Sequence, residues 1–164
     1  MNLEIKAVAA AIFLGDKVLA VKRPENPEGI LSGLWGLPAL EISHTEDERI
    51  GIKRIGVEKL GALVEPKKRL GELQGERVSV TLTLALWECS IQGDPHFDRR
   101  QPTSQTSTKY DEWQWKDPEE LIPAARRDSL CSQLALKYLS INYLDPIQIQ
   151  PTSFDVDPTE AFGC

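Results

Sequence analysis

The sequence predicts an α/β domain in which a mixed β-sheet is sandwiched between α-helices. Residues 4–14 are mostly apolar at both odd and even positions, which is typical of a strand that is covered on both faces. Residues 78–87 alternate between aliphatic and other side chains, as a long strand does. Helical patterns at 46–60 and 129–143 are interspersed with these strands, which favours a sheet packed between helices.

The first part of the chain predicts a strand pair and a loop. Residues 4–14 form the first strand, Gly15 and Asp16 form a turn, and Lys17–Lys22 is the returning strand. Two prolines and two glycines place residues 23–34 in a loop, and a short extended piece follows.

The next segment predicts one long helix. Its acidic first turn, Glu46–Glu48, suits the positive end of a helix dipole, and Ser43 or Thr45 can cap it. The helix runs to about Leu60, where Gly61 stops it. Each of its two interior glycines costs ~1 kcal/mol relative to alanine, so we expect close packing at those positions.

The second half of the chain predicts further strands and a closing helix. The last helix carries an apolar stripe from Leu130 to Tyr138, which packs it on the body of the domain. We expect one domain over residues 1–144, followed by a C-terminal tail at 145–164 that has three prolines and no periodicity. The predicted elements are a short strand at 62–65, a charged loop at 67–77, a long strand at 78–87, a loop at 92–108, a strand at 110–115, a helical turn at 118–121 and a helix at 129–143 capped by Asp128.

Composition excludes several classes of protein. The 164 residues are 41% hydrophobic and 27% charged, an ordinary globular balance. The net charge of −6 argues against a nucleic-acid partner, and no apolar run approaches the ~20 residues that span a membrane. The three cysteines form no CxxC pair, so we expect neither a disulfide framework nor a zinc site. We expect a reducing, cytoplasmic location.

One stretch carries a family resemblance. Residues 35–62, WGLPALEISHTEDERIGIKRIGVEKLGA, resemble a Nudix box, G-x5-E-x7-R-E-U-x-E-E-x-G-U, where U is a bulky aliphatic residue. KRP at 22–24, GLWGLP at 33–38 and YDEWQWKDPEEL at 110–121 are also similar to the family, so the resemblance covers roughly residues 4–143. It implies a Nudix (MutT-like) fold. It also implies hydrolysis of a nucleoside diphosphate linked to another moiety, with Mg²⁺ or Mn²⁺ as the cofactor.

The box is degenerate at the positions that matter for a metal. Glutamates at positions 55, 58 and 59 would fall within about 100° of arc on an α-helix and form one metal-binding face. Here Ile55 and Lys59 leave Glu58 as the one carboxylate of the three. The surviving markers are Glu46, Arg54, Glu58 and Gly61.

The resemblance implies a set of catalytic and metal-binding residues. Glu58, Arg54 and Glu112 are the catalytic candidates, and Glu58, Glu46 and Glu112 are the metal candidates. Each has a structural alternative: a surface i,i+4 pair for Arg54 and Glu58, an acidic helix start for Glu46, and a solvated strand position for Glu112.

Three further residues are candidates for binding a nucleotide-like small molecule. Arg23 ends the second strand and can reach a phosphate, and Trp35 can stack on a base. Lys59 can hold a phosphate directly, although a lysine in a last helical turn also suits the helix dipole.

Three hypotheses stay open for the activity. In the first, the enzyme works with relocated ligands from Asp111, Glu112, Glu72 or Glu76. In the second, catalysis is lost and the domain binds a nucleotide or acts as a sensor. In the third, Lys59 replaces the charge of the metal. The stretch at 29–38 is also similar to the noncatalytic, Nudix-like domain at the end of adenine DNA glycosylases. Nudix domains are often homodimers, so the resemblance also implies a homodimer as one form of this protein.

Overall fold

A computed structural model of the chain describes residues 3–24, 31–97 and 110–144. None of the helices in these ranges is long and apolar enough to cross a bilayer. The strands are β1 (Leu3–Leu14), β2 (Lys17–Lys22), β3 (Trp35–Gly36), β4 (Ala39–Ile42), β5 (Leu63–Arg77), β6 (Val80–Gln92) and β7 (Glu112–Lys116). The helices are α1 (Glu48–Arg54), α2 (Ile122–Arg126) and α3 (Leu130–Tyr138), with a π-helical turn at Ile55–Leu60 and a 3-10 turn at Pro118–Leu121.

Strand β1 lies at the centre of a mixed seven-stranded sheet. It pairs in parallel with β6 and antiparallel with β4, and its last two residues pair with β2. Strand β5 extends the sheet beyond β6, and β2 also pairs with β3 and β7. The parallel pair at the centre makes the sheet mixed, as predicted.

Both faces of the sheet are covered. Ala7, Ala9 and Ala11 of β1 join one core cluster with α2 and α3, and the alternate residues of β1 join a second cluster with the helical segment 48–60. The prediction that the first strand is buried on both faces is therefore confirmed, and so is the α/β sandwich.

The predicted charged loop at 67–77 is wrong, because these residues belong to β5. The strand pairs with β6 over most of its length, from Leu63 opposite Gln92 to Arg77 opposite Val80. Two register shifts, at 66–68 and at 69–71, interrupt the alternation of side chains, so no period of two is visible in the sequence.

Several element boundaries also differ from the predictions. Val78 was expected in the long strand but is exposed in the turn before β6, where Ser79 has a φ of 62°. Strand β4 and helix α2 were not predicted, whereas the helical turn at 118–121 is confirmed. The predicted loop at 92–108 lies partly, and the tail at 145–164 wholly, outside the described residues.

The last helix is shorter than predicted. It ends at Tyr138, which is 44% exposed and so does not belong to the buried stripe. Its N-cap residue is Ser129, not Asp128, whose φ of 69° places it in the turn before the helix. Leu130 and Cys131 do pack on the body of the domain, as predicted.

Candidate functional site

The helical segment after β4 begins at Glu48, two residues later than predicted. Asp47, rather than Ser43 or Thr45, is the N-cap residue, and its carboxylate accepts a hydrogen bond of 2.8 Å from the backbone N–H of Arg49. Glu46 therefore lies in the loop before the helix, not in its first turn. This leaves its carboxylate within reach of side chains further along the helix.

The segment changes from α-helix to π-helix at Ile55. Gly61 has a φ of 64° and donates its backbone N–H to the carbonyl of Gly56, five residues earlier. A π turn closes over five residues instead of the four of an α-helix. Ile55 is fully buried whereas Glu58 is exposed, so these two positions do not form one exposed face.

Close packing explains both glycines of this segment, as predicted. A Cβ on Gly51 would lie 2.6 Å from Cγ2 of Ile42. A Cβ on Gly56 would lie 2.4 Å from the carbonyl oxygen of Ala62 and 2.8 Å from the backbone nitrogen of Val64. The missing side chain of Gly56 thus lets the chain fold back from the π turn into β5.

Arg54 joins two of the candidate carboxylates. Its Nη1 donates to both carboxylate oxygens of Glu46, at 2.6 and 2.7 Å, and its Nε donates to Glu58 at 2.6 Å. The ion pairs raise the pKa of Arg54, with the hydrogen bond to Glu58 as the largest cause. The structure therefore brings Glu46, Arg54 and Glu58 together, and the charge of both carboxylates is shared with one guanidinium.

Lys59 extends toward an aromatic ring in the interior. Its Nζ lies 5.3 Å from the ring centroid of Tyr110, a cation–π distance. The hydroxyl of Tyr110 accepts a hydrogen bond of 3.0 Å from the backbone N–H of Ala39, which fixes the ring against β4. Burial and, next, the positive charge of Arg23 lower the pKa of Lys59 to about 8.

Arg23 lies in the same place. It follows β2, is 7% exposed, and its charge acts on both Lys59 and Tyr110. The charges of Arg23 and Lys59, two of the three predicted ligand-binding residues, therefore act on each other, and Glu58 acts on Lys59 as well. We refer to Lys59 and Arg23 below as the Lys59–Arg23 cation pair.

The remaining candidates lie on β3 and β7. The ring of Trp35 is 4.6 Å from Nζ of Lys116, and the carboxylate of Glu112 is 3.6 Å from Nζ of Lys22. Glu112 is exposed, in keeping with its ion pair on the surface of the sheet. No contact among the described residues tests a catalytic, metal or base-stacking role for these two residues, which stay predictions.

Comparison with solved structures identifies the fold. The chain superposes on a NUDIX hydrolase from Nitrosomonas europaea with a TM-score of 0.62 and 19% identity, over 84% of this chain and 89% of that one. It superposes on a MutT protein from Methanosarcina mazei Go1 with a TM-score of 0.63 and 19% identity, over 85% of this chain and 95% of that one. For an ADP-ribose pyrophosphatase from Streptococcus suis the TM-score is 0.56 and the identity 24%, over 83% of this chain and 90% of that one.

The chain has the Nudix fold. No family model matches its sequence, and no curated protein is significantly similar to it. The predicted fold class and the predicted resemblance are thus confirmed by the comparison of structures, at sequence identities of 19% to 24%.

The described residues of this Nudix fold show no cluster of metal ligands around the box. Mg²⁺ requires several hard oxygen ligands in one place. Within residues 3–24, 31–97 and 110–144 no three His, Cys, Asp or Glu side chains are grouped as a metal site needs. Ile55 is fully buried in the core, Lys59 brings a positive charge, and Glu58 is bound to Arg54.

The Nudix helix is held in place by a residue that the sequence analysis did not single out. Glu48, the first residue of α1, accepts hydrogen bonds of 2.9 Å from Nε1 of Trp87 and from Nε of Arg69. The bond to Arg69 is the main cause that lowers the pKa of Glu48. Its place in an acidic helix start concealed this role, because Arg69 was assigned to a loop.

Proposed function

We propose that this Nudix-fold domain binds an anionic, nucleotide-like ligand at the Lys59–Arg23 cation pair and does not hydrolyse it. The observation that supports the proposal is the position of Lys59. Its ammonium group lies beside the ring of Tyr110 and close enough to Arg23 for the two charges to interact.

This arrangement has an energetic cost that an anion relieves. Burial and a neighbouring like charge both disfavour the charged form of a lysine. An anionic ligand supplies the opposite charge, and hydrogen bonds between ions in a partly buried place are stronger than those between neutral groups. Glu58 already offsets part of this cost at Lys59, and an anionic ligand would offset more of it.

The absence of the usual ligands supports binding without turnover. Hydrolysis of a phosphoanhydride by a metal ion requires carboxylates that hold the ion beside the phosphates. The described residues hold no cluster of three such groups, and Glu46 and Glu58 are both paired with Arg54.

Ligand titration tests this proposal. Isothermal titration calorimetry with ADP and ADP-ribose in the presence of EDTA is expected to show binding to the wild type and a loss of affinity in Lys59→Met. Lys53→Met is the matched control, because Lys53 lies on α1 and its side chain is 58% exposed beside Glu65. Equal affinity in all three proteins would contradict the proposal.

A hydrolase with a weakened metal site is the second candidate. Arg54 pairs with both Glu46 and Glu58, two surviving carboxylates of the box, and one solved structure of this fold is an ADP-ribose pyrophosphatase. In this case Mg²⁺ or Mn²⁺ would be held by Glu58 with Glu46 and Glu112.

Turnover distinguishes the two candidates. A panel of nucleoside diphosphate derivatives would be incubated with Mg²⁺ or Mn²⁺, and phosphate-containing products measured. We expect no turnover. Turnover that is lost in Glu58→Gln, and kept in the control Glu120→Gln on the exposed 3-10 turn, would establish the hydrolase instead.

A further inference from the structure

We propose that the outer edge of strand β5 pairs antiparallel with the same strand of a second copy of this chain, around a two-fold axis at Leu70. Strand β5 spans Leu63–Arg77 and lies at the end of the sheet, where it pairs with β6 and with no other strand of the described residues. A long edge strand presents a row of backbone N–H and C=O groups to which a further strand can bond. This inference is independent of the proposed ligand, because the Lys59–Arg23 cation pair lies outside β5.

The charges in the middle of β5 are divided between its two halves. Residues 67–69 are Lys, Lys and Arg, whereas the second half has carboxylates at Glu72 and Glu76, and all five side chains are exposed. A two-fold axis at the middle of the strand reverses the second copy. The basic half of each copy then lies beside the acidic half of the other, and the edge is complementary to itself. Glu65 and Arg77, near the two ends, meet uncharged residues in this arrangement.

Full overlap of the two strands also gives a register without a repulsive pair. Leu70 is the midpoint of the strand, so it lies opposite its own copy, and Lys68 lies opposite Glu72 twice in the dimer. Opposite charges across a β ladder are stabilising, and like charges directly opposite are destabilising. An axis at Lys68 or at Glu72 would instead set that residue against its own copy. The charges therefore favour the axis at Leu70 over these two shifted registers.

The features that keep foreign strands away from this edge are compatible with a second copy. Lysine and proline on an edge strand commonly prevent pairing, and β5 has Pro66 and two lysines. A copy in the proposed register brings a carboxylate to Lys68, whereas an arbitrary strand does not. Glu72 accepts a hydrogen bond of 3.1 Å from Arg69 of its own chain, and its side chain is 49% exposed to a further partner. The second half of the strand, Gly71–Arg77, pairs with β6 without a register shift.

Sedimentation equilibrium of the full chain, with charge-reversed variants, tests the pairing. We expect a concentration-dependent dimer whose dissociation constant rises about tenfold or more in Lys68→Glu, because two attractive pairs become repulsive. The double variant Lys68→Glu/Glu72→Lys exchanges the signs of both pairs and should recover most of the affinity. Lys17→Glu is the matched control, because it makes the same charge change on β2, which β1 and β6 separate from β5. It should leave the dissociation constant unchanged.

A disulfide locates the axis. Residues directly opposite each other in an antiparallel pair have Cα atoms about 4.5–5.5 Å apart, within the range that a disulfide bridges. In a Cys164→Ser background, Leu70→Cys should form a covalent dimer on mild oxidation. Gln74→Cys should not, because the two copies of residue 74 would be offset by about eight residues, roughly 26 Å along the ladder. Circular dichroism would check the fold, since Leu70 packs partly against the core.

Three results would overturn the proposal. One is a wild-type chain that stays monomeric up to about 1 mM. Another is a dimer whose dissociation constant is unchanged in folded Lys68→Glu. The third is a covalent dimer of Gln74→Cys without one of folded Leu70→Cys. If Leu70→Cys does not fold, the charge-reversed series still decides the question.

Discussion

Replacing Lys59 with methionine should make the folded protein more stable at pH 7. Burial and the charge of Arg23 lower the pKa of Lys59 from 10.5 to about 8 in the folded state. One pKa unit corresponds to ~1.4 kcal/mol, so keeping this lysine charged at pH 7 costs about 3 kcal/mol of folding free energy. Methionine fills a similar volume without that cost, although it gives up the cation–π contact with Tyr110, worth about 0.5–2 kcal/mol.

The assay is urea unfolding of the wild type, Lys59→Met and the control Lys53→Met, followed by tryptophan fluorescence. At pH 7 we expect a higher free energy of unfolding for Lys59→Met, by about 1–3 kcal/mol, and a change within about 0.5 kcal/mol for the control. Between about pH 8 and 10.5 the unfolded wild type binds a proton that the folded protein has lost, so its stability rises with pH. The advantage of Lys59→Met should therefore shrink over this interval. A variant that is less stable than the wild type at pH 7 would refute the reasoning.

Other predictions concern the segments that hold the site in place. Gly61→Ala should lower the free energy of unfolding in urea by about 1–3 kcal/mol more than Gly15→Ala. Both glycines have a φ near 60°, but only at Gly61 would the new Cβ meet an atom, the His96 carbonyl oxygen at 2.1 Å. Equal losses would contradict this steric account. Glu48→Gln should cost about 1–3 kcal/mol at pH 7, because it weakens the ionic hydrogen bonds to Arg69. Since the folded-state pKa of Glu48 lies below 4.5, its contribution is present above pH 4.5 and is lost as the pH falls through the folded value. The gap between wild type and Glu48→Gln should therefore narrow in acid, and a gap unchanged at pH 2 would contradict the assignment.

The central strands could be predicted from the sequence because their hydrophobic patterns are regular. Residues of β1 are mostly apolar at both odd and even positions, and aliphatic side chains alternate with others over Val80–Leu86. The buried faces of both strands can therefore be identified without a structure. Strand β5 could not be found in this way. Its charges and its two register shifts hide the alternation, and pairing with β6 supplies its stability.

The candidate site could be predicted in part. The i,i+4 spacing of Arg54 and Glu58 predicted an ion pair that the structure shows, whereas the ion pair of Arg54 with Glu46 was not predicted from spacing. Their arrangement around a metal could not be judged, because an α-helical period was assumed where the chain forms a π turn. That turn depends on a close approach of Gly56 to Ala62, a tertiary contact that no local pattern reveals.

The sequence also could not predict the contact of Lys59 with Tyr110 or the effect of the Arg23 charge on both residues. The three residues are far apart along the chain, and no local sequence pattern links them. Tyr110 was assigned to a strand and given no role. Its position near both cations follows from the pairing of β2 with β7, which brings residue 22 opposite residue 112.

Nucleotide titration with and without Mg²⁺ tests the central claim most directly. The claim is that this Nudix-fold domain binds an anionic ligand through protein cations and not through a metal. The same nucleoside monophosphate would be titrated into the wild type in EDTA and in excess Mg²⁺, while the solution is assayed for turnover of the corresponding diphosphate derivative. We predict equal affinities in the two conditions and no turnover. Binding that requires Mg²⁺, together with turnover that disappears in Glu58→Gln, would contradict the claim.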